Sequence, residues 1–135
     1  MTIKILMFED TTSKVEPFKE YLNLRFKAEL NCDLFLEHRI DDSMLESDLI
    51  TQEFHAILID DDLGNGLSGS TIIETIISIT DTTPEISNVP KIYYSAGTSI
   101  DELKEKSKKM GVRCSTYNNL SDTVFEIIQS RYLNK

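Results

Sequence analysis

The chain has 135 residues, a length that suits one compact domain, so residues 1–135 are predicted to form a single domain with no separate output domain. Fourteen Lys and Arg residues against 23 Asp and Glu residues give a net charge of −9 at pH 7. Such a charge repels phosphate backbones and anionic lipids, which argues against direct nucleic-acid or membrane-surface binding. With 40% hydrophobic residues, the composition is that of a globular protein with a buried core.

The sequence contains no predicted targeting or membrane-spanning segment. Its apolar N-terminal stretch ends at Glu9 and Asp10, and no later stretch approaches the roughly 20 apolar residues that cross a membrane. We therefore expect a cytoplasmic protein. Cys32 and Cys114 are too few for a disulfide framework or a metal-ligand cluster, and both are expected to be buried as small apolar side chains.

Short apolar runs alternate five times with longer amphipathic segments, the pattern of a βα series. The predicted strands are 3–8, 33–39, 55–60, 91–95 and 112–117. Helices are predicted in the intervals between them and after the last strand. Ser13 and Ser99 each stand three residues before a Glu, which predicts capping boxes at two helix starts. Ser43 has the same spacing to a Glu and is expected to open a short, acidic second helix. The fourth helix, 100–110, has a thin apolar face and several lysines, so we expect it to lie on the surface.

Strands that alternate with helices pair in parallel through right-handed crossovers, which gives an open sheet with helices on both faces. For five strands the common order is 2-1-3-4-5, and ligands bind where that order reverses, beyond the carboxyl ends of the first and third strands. The predicted fold class is therefore α/β, a three-layer flavodoxin-like, doubly wound five-stranded parallel sheet. Cys32 and Cys114 would lie at opposite edges of that sheet, too far apart for a disulfide.

Up to five carboxylates are predicted to meet at this position, because Glu9 and Asp10 follow the first strand and residues 60–62 end the third. Two like charges 4 Å apart repel by about 4 kcal/mol at an effective dielectric constant near 20, so these groups must be protonated, spread into water or neutralised by a cation. Oxygen ligands without a nearby Cys or His are typical of Mg²⁺ sites. A magnesium ion beside an Asp is an arrangement suited to phosphoryl transfer, with one carboxylate as the nucleophile.

Three segments carry a resemblance to a known family: 5–10 (ILMFED), 56–69 (AILIDDDLGNGLSG) and 89–96 (VPKIYYSA). With them, the whole chain resembles the receiver domain of bacterial two-component response regulators, the CheY-like group of flavodoxin-like folds. This resemblance implies that Asp60 is the phosphoacceptor and that Ser95 is the hydroxyl residue that responds to phosphorylation. It also implies a set of Mg²⁺ ligands, namely Asp10 and Asp60 directly, Glu9 through water and Asp62 through its backbone carbonyl.

The same resemblance implies partners. A histidine kinase or phosphotransfer protein would donate the phosphoryl group, and a downstream protein partner would bind the surface formed by the fourth helix, fifth strand and fifth helix. That surface includes Lys104, Lys106 and Tyr117. The expectation is thus a signalling module of a phosphorelay and not an enzyme.

The fifth strand departs from the family pattern. The family's lysine at the end of this strand falls on Asn118, whose amide lacks the positive charge, and the aromatic switch position falls on Ser115, with Tyr117 as a substitute. Phosphorylation is therefore expected to be slow or absent. The alternative is a degenerate pseudo-receiver, a phosphorylation-independent protein-binding module. The spacing to Gly69 also leaves Asp61 as an alternative acceptor.

Three other patterns compete with this interpretation. Residues 64–69 match the glycine pattern of a dinucleotide site, but three aspartates precede them and would repel pyrophosphate. Asp60 and Asp62 begin an EF-hand-like spacing that lacks its final Glu, since Thr71 stands there. A haloacid-dehalogenase-like phosphatase also has Asp-x-Asp after an apolar strand, although usually the first one, and it remains the enzyme alternative.

Overall fold

The computed structural model describes residues 1–83 and 89–133. Strands and helices alternate along the chain as the sequence predicts. The elements are β1 (Thr2–Phe8), α1 (Thr12–Leu30), β2 (Asp33–Arg39), α2 (Leu45–Thr51), β3 (Ala56–Asp60), α3 (Gly69–Thr82), β4 (Lys91–Ser95), α4 (Ile100–Met110), β5 (Arg113–Thr116) and α5 (Leu120–Ile128). A 3-10 turn (Tyr117–Asn119) joins β5 to α5, and a π-helical turn (Gln129–Leu133) follows α5.

The five strands form one parallel sheet in the order β2-β1-β3-β4-β5. Side chains on alternate faces of the sheet build two apolar clusters. One cluster joins the sheet to α1 and α5, and the other joins it to α2, α3 and α4. Because helices cover both faces of the sheet, apolar and polar residues do not alternate in the centres of β1 and β3. The predicted three-layer fold class and strand order are confirmed.

Two of the three predicted helix starts are wrong. The first helix begins at Thr12, two residues earlier than a Ser13 cap implies, because a carboxylate oxygen of Glu9 accepts a hydrogen bond from the Thr11 backbone N–H and holds the chain there. The second begins at Leu45, since the Ser43 N–H and hydroxyl both bond to Asp41 in a local turn. At α4 one half of the predicted box is present, because the Ser99 hydroxyl accepts from the Glu102 N–H at 3.3 Å and caps the helix.

The fifth strand is shorter than predicted. It spans Arg113–Thr116, and the Thr116 hydroxyl then accepts a hydrogen bond from the Asn119 N–H, which turns the chain into the 3-10 segment. Both cysteines are free, as expected. Cys32 is buried as predicted, whereas the prediction for Cys114 is wrong, because this residue lies on an edge strand and is only half-buried.

The fourth helix lies on the surface, in agreement with its thin apolar face. Only Leu103 and Ser107 of this helix are buried. None of the helices in the two described ranges combines the length and the apolar character needed to cross a bilayer.

Candidate functional site

Three carboxylates lie together at the carboxyl ends of the two central strands. Glu9 and Asp10 follow β1, and Asp60 is the last residue of β3. Because β1 and β3 are adjacent and parallel, both ends lie at the same edge of the sheet. Ligand oxygens from these three residues all lie within 4.8 Å of one another. We call this group the carboxylate cluster.

Glu9 is the fully buried member of the cluster. One of its carboxylate oxygens accepts a hydrogen bond from the Tyr94 hydroxyl at 3.0 Å, and the other accepts from the Thr11 N–H at 3.0 Å. Burial and the nearby negative charge of Glu9 raise the pKa of Tyr94, so this phenol stays a proton donor. Donors from β4 and the start of α1 therefore hold the Glu9 side chain at the strand end.

Asp60 is buried next to Glu9, with 6% of its surface exposed. Burial, the negative charge of Glu9 and a hydrogen bond to Glu9 together raise the pKa of Asp60 to about 7. The Asp62 N–H, which donates to the Asp60 side chain, and the positive charge of Lys14 act in the opposite direction. Asp60 is therefore partly protonated near neutral pH unless a cation replaces the proton.

Asp10 and Asp62 stand at the mouth of the cluster. Asp10 is exposed, and a Cβ atom at Gly64 would lie 3.2 Å from one of its carboxylate oxygens, so the loop after β3 packs against it. The side chain of Asp62 is outside the cluster and accepts a hydrogen bond from the Gly64 N–H at 2.9 Å. Gly64 has φ +74, which explains a glycine at this turn. The glycine pattern of 64–69 thus shapes a loop around the carboxylates.

Asp61 belongs to a separate network. Its carboxylate accepts hydrogen bonds from the hydroxyls of Tyr93 and Thr98, and the Lys106 ammonium lies at 3.4 Å. Burial opposes ionisation of Asp61, but these hydrogen bonds and the charge of Lys106 outweigh it and lower its pKa. Consecutive residues at a strand end point in different directions, so Asp60 alone of this pair enters the carboxylate cluster.

Ser95 joins the Asp61 network from the end of β4. Its hydroxyl donates to the Thr98 hydroxyl at 3.0 Å and accepts from the N–H groups of Gly97 and Thr98 at 3.2 and 3.1 Å. The Thr98 hydroxyl in turn donates to Asp61 at 3.0 Å. A continuous polar chain therefore runs from Ser95 through Thr98 and Asp61 to Lys106 on α4. Sequence analysis did not identify Thr98 or this chain.

The end of β5 differs from the arrangement that the sequence suggested. Ser115 is buried and bonded to the Thr116 carbonyl, while Asn118 is exposed on the 3-10 turn. Tyr117 turns towards α1, where its hydroxyl donates to the Lys14 carbonyl at 2.6 Å. Its ring centroid is 6.3 Å from that of Tyr94. The rings of Tyr94 and Tyr117 together line the side of the cluster that faces α1.

Tyr93 and Tyr94 were also missed in sequence analysis. Both are buried in β4, and both hydroxyls bond to acidic side chains of the site. A usable signal was present in the sequence, because two tyrosines in an otherwise apolar central strand require polar partners for their hydroxyl groups.

The donor set of the cluster fits a hard divalent cation. All three groups offer carboxylate oxygens, the ligands that such cations prefer. Burial first, and then the negative charge of Glu9, raise the pKa of Asp60, and a cation bound here would favour its ionised form. Glu9, Asp10 and Asp60 could therefore hold a metal ion.

No protein-family model matches the chain, and no sequence relative was found among curated proteins. The fold, in contrast, matches many solved structures. It is similar to the signal receiver domain of a putative LuxO repressor protein from Vibrio parahaemolyticus, with a TM-score of 0.68, 19% identity, and 96% of this chain and 92% of that chain covered. It is also similar to the chemotaxis protein CheY4 of Vibrio cholerae, with a TM-score of 0.64 and 14% identity over 94% of this chain and 99% of that one.

A third similar structure is a response regulator protein from Burkholderia pseudomallei that contains a phosphorylated aspartic acid, a calcium ion and citrate. Its TM-score is 0.67 at 16% identity, with 95% of this chain and 67% of that chain covered. These identities are low, and what the neighbours share with this protein is the architecture. The chain has the fold of the response-regulator receiver domains.

Proposed function

We propose that this protein is a receiver module of phosphorelay signalling that accepts a phosphoryl group on Asp60. The supporting observation is the carboxylate cluster, in which a buried Asp at the end of a central strand stands beside two further carboxylates. Asp10 and Asp60 would hold a Mg²⁺ ion directly, with Glu9 acting through water and Asp62 through its backbone carbonyl. A histidine kinase or phosphotransfer protein would be the phosphoryl donor.

The reaction is a displacement at phosphorus. An ionised Asp60 oxygen attacks, an O–P bond forms, and the bond from phosphorus to the donor's nitrogen or oxygen breaks, with the electron pair leaving on the donor. When bound, Mg²⁺ neutralises negative charge on the phosphoryl oxygens. Glu9 and the Asp62 N–H fix the position of Asp60, and Ser95 has a hydroxyl that would turn towards the product.

Labelling with acetyl phosphate tests this proposal. In the presence of Mg²⁺, intact mass should show one phosphoryl adduct per chain in the wild type and none in Asp60→Asn, because the nucleophile is missing. Asp61→Asn is the matched control and should still be labelled, since Asp61 lies outside the cluster. The adduct should be labile to hydroxylamine, as an acyl phosphate is.

Other outcomes point to the other functions. An unlabelled wild type that also fails to bind Mg²⁺ in calorimetry would contradict the proposal and support a phosphorylation-independent binding module. Repeated turnover of a phosphomonoester instead of stoichiometric labelling would support a phosphatase. Labelling of Asp60→Asn and loss of labelling in Asp61→Asn would move the acceptor to Asp61.

Output to a downstream protein would pass through the polar chain from Ser95 to Lys106. A Ser95 hydroxyl that turns towards a phosphoryl group must leave Thr98, and Thr98 and Lys106 share the Asp61 carboxylate as their partner. Because Ser115 is buried and has no aromatic ring, the polar chain from Ser95 to Lys106 would take the place of the family's aromatic switch residue. The surface that changes would be that of α4, with Lys104 and Lys106.

A Thr98→Val variant tests this route, because it removes both side-chain hydrogen bonds and keeps the side-chain shape. We expect normal phosphorylation but less than about half of the wild-type chemical-shift change in the α4 amides, since the middle of the chain is gone. Thr82→Val, on α3, is the control and should respond like the wild type. An undiminished α4 response in Thr98→Val would show that the signal takes another route.

A further inference from the structure

The proposed reaction, on which this inference rests, adds a phosphoryl group to a site that already holds three carboxylates. One divalent cation does not balance that charge, and a second positive group at the site would lower the barrier. The position that the family resemblance gives to this group carries Asn118, which is neutral and exposed. The structure offers a different positive side chain next to the cluster, that of Lys14.

Lys14 lies in the first turn of α1, four residues after Asp10. Tyr117 fixes it at two points. The Tyr117 hydroxyl donates to the Lys14 backbone carbonyl at 2.6 Å, and the Lys14 ammonium stands 5.8 Å from the centroid of the Tyr117 ring. A cation at this distance from an aromatic face is attracted by the ring electrons, so the ring guides the long side chain.

The Tyr117 ring itself is held against the cluster. Its centroid is 6.3 Å from that of Tyr94, whose hydroxyl donates to Glu9. Lys14 is half-buried, so solvent screens its charge only in part. The Lys14 ammonium therefore stands on the α1 side of the cluster, beside the two aromatic rings, of which that of Tyr94 contacts Glu9 through its hydroxyl.

We infer that Lys14 is the cation of this site, where its ammonium pairs with the phosphoryl oxygens on Asp60. The role that the family's lysine has at the end of the fifth strand belongs here to Lys14 at the start of α1. Tyr117, the first residue after β5, is the positioning residue for Lys14. An exposed asparagine at position 118 is compatible with phosphorylation for this reason.

The test compares Lys14→Gln with Lys19→Gln, a matched loss of one positive charge further along α1. In Lys14→Gln we expect the rate of labelling by acetyl phosphate to fall about tenfold, the effect of losing one partly screened positive charge at the site. The Mg²⁺ affinity of the same variant should increase about threefold, because a repelling charge next to the carboxylates is gone. Lys19→Gln should change neither quantity.

Two further variants separate charge from structure. Lys14→Arg should keep most of the labelling rate, because it keeps the charge. The double variant Lys14→Gln/Asn118→Lys should regain the rate, because it restores a positive side chain at the position that the family resemblance gives to the lysine. A variant that merely damages the fold would bind Mg²⁺ more weakly, not more tightly.

Each result decides between the two proposals. An unlabelled wild type would overturn both the phosphoacceptor function and the inference. A labelled wild type with equal rates in Lys14→Gln and Lys19→Gln would overturn the Lys14 inference alone. Slower labelling of Lys14→Gln together with weaker Mg²⁺ binding would also overturn it, since that pair of effects indicates a structural residue.

Discussion

Replacement of Gly69 by alanine is expected to lower the free energy of unfolding by about 3 kcal/mol or more. Gly69 is the first residue of α3 and packs directly on the end of β3. A Cβ atom here would lie 2.1 Å from the Asp60 carbonyl oxygen and 3.0 Å from a ring carbon of Tyr93. The obstacle is strand backbone, which cannot move without breaking its pairing with β4.

The same substitution should also damage the carboxylate cluster. Asp60 provides both the backbone that an added methyl group strikes and the carboxylate of the cluster, so a shift of one moves the other. Mg²⁺ affinity and labelling should therefore fall together with stability. The hydrogen bond from the Gly69 N–H to the Asp61 carbonyl, at 2.9 Å, shows how closely α3 lies on this strand end.

Gly97→Ala provides the control, because a Cβ atom at Gly97 would meet nothing within 4 Å among the described residues. It should change the free energy of unfolding by less than about 0.5 kcal/mol. Urea denaturation followed by circular dichroism measures both variants, with equal m values required for the comparison. A loss below about 1 kcal/mol in Gly69→Ala would contradict the close packing of α3 on Asp60.

The fold could be predicted because its signals are local and repeated. Unbroken apolar runs at β1, β3 and β4 specify strands covered on both faces, and the alternation with helices then leaves few topologies. The meeting of Glu9 and Asp10 with Asp60 follows from the same topology, since parallel neighbours end at one edge. Local pattern and global architecture agree at these positions.

What could not be predicted depends on partners that are distant in the sequence. The early start of α1 depends on the Glu9 carboxylate, which the fold brings to the Thr11 N–H. The separation of Asp60 from Asp61 depends on Thr98 and Lys106, which reach Asp61 from the β4–α4 loop and α4. No pattern around residues 60–62 contains this information, so the sequence left both aspartates open as acceptors.

The metal-free protein is expected to become less stable as the pH rises from about 4 to about 7. Folding raises the pKa of Asp60 from an ordinary value of 3.8 to about 7, so the folded state keeps a proton that the unfolded state releases. Stability from this group is fully present below the unfolded pKa and is lost as the pH rises through the folded one. At pH 8 the folded state holds an ionised Asp60 buried next to Glu9.

Asp60→Asn should therefore stabilise the metal-free protein at pH 8 by about 2 kcal/mol, because it removes this buried charge. At pH 5 the same change should have little effect, since Asp60 is already neutral there. Asp42→Asn, at an exposed position between β2 and α2, is the control and should leave both values unchanged. Thermal unfolding in the presence of a chelator measures the stability of each variant at both pH values.

Addition of Mg²⁺ should reverse the order of wild type and Asp60→Asn at pH 8. The wild-type carboxylates gain a cation that binds only the folded state, which raises Tm with Mg²⁺ concentration, whereas the variant has lost a ligand. At pH 5 the gain of the wild type should be smaller, because Mg²⁺ must displace the Asp60 proton. An Asp60→Asn variant less stable than the wild type at pH 8 without metal would contradict the charge repulsion at this site.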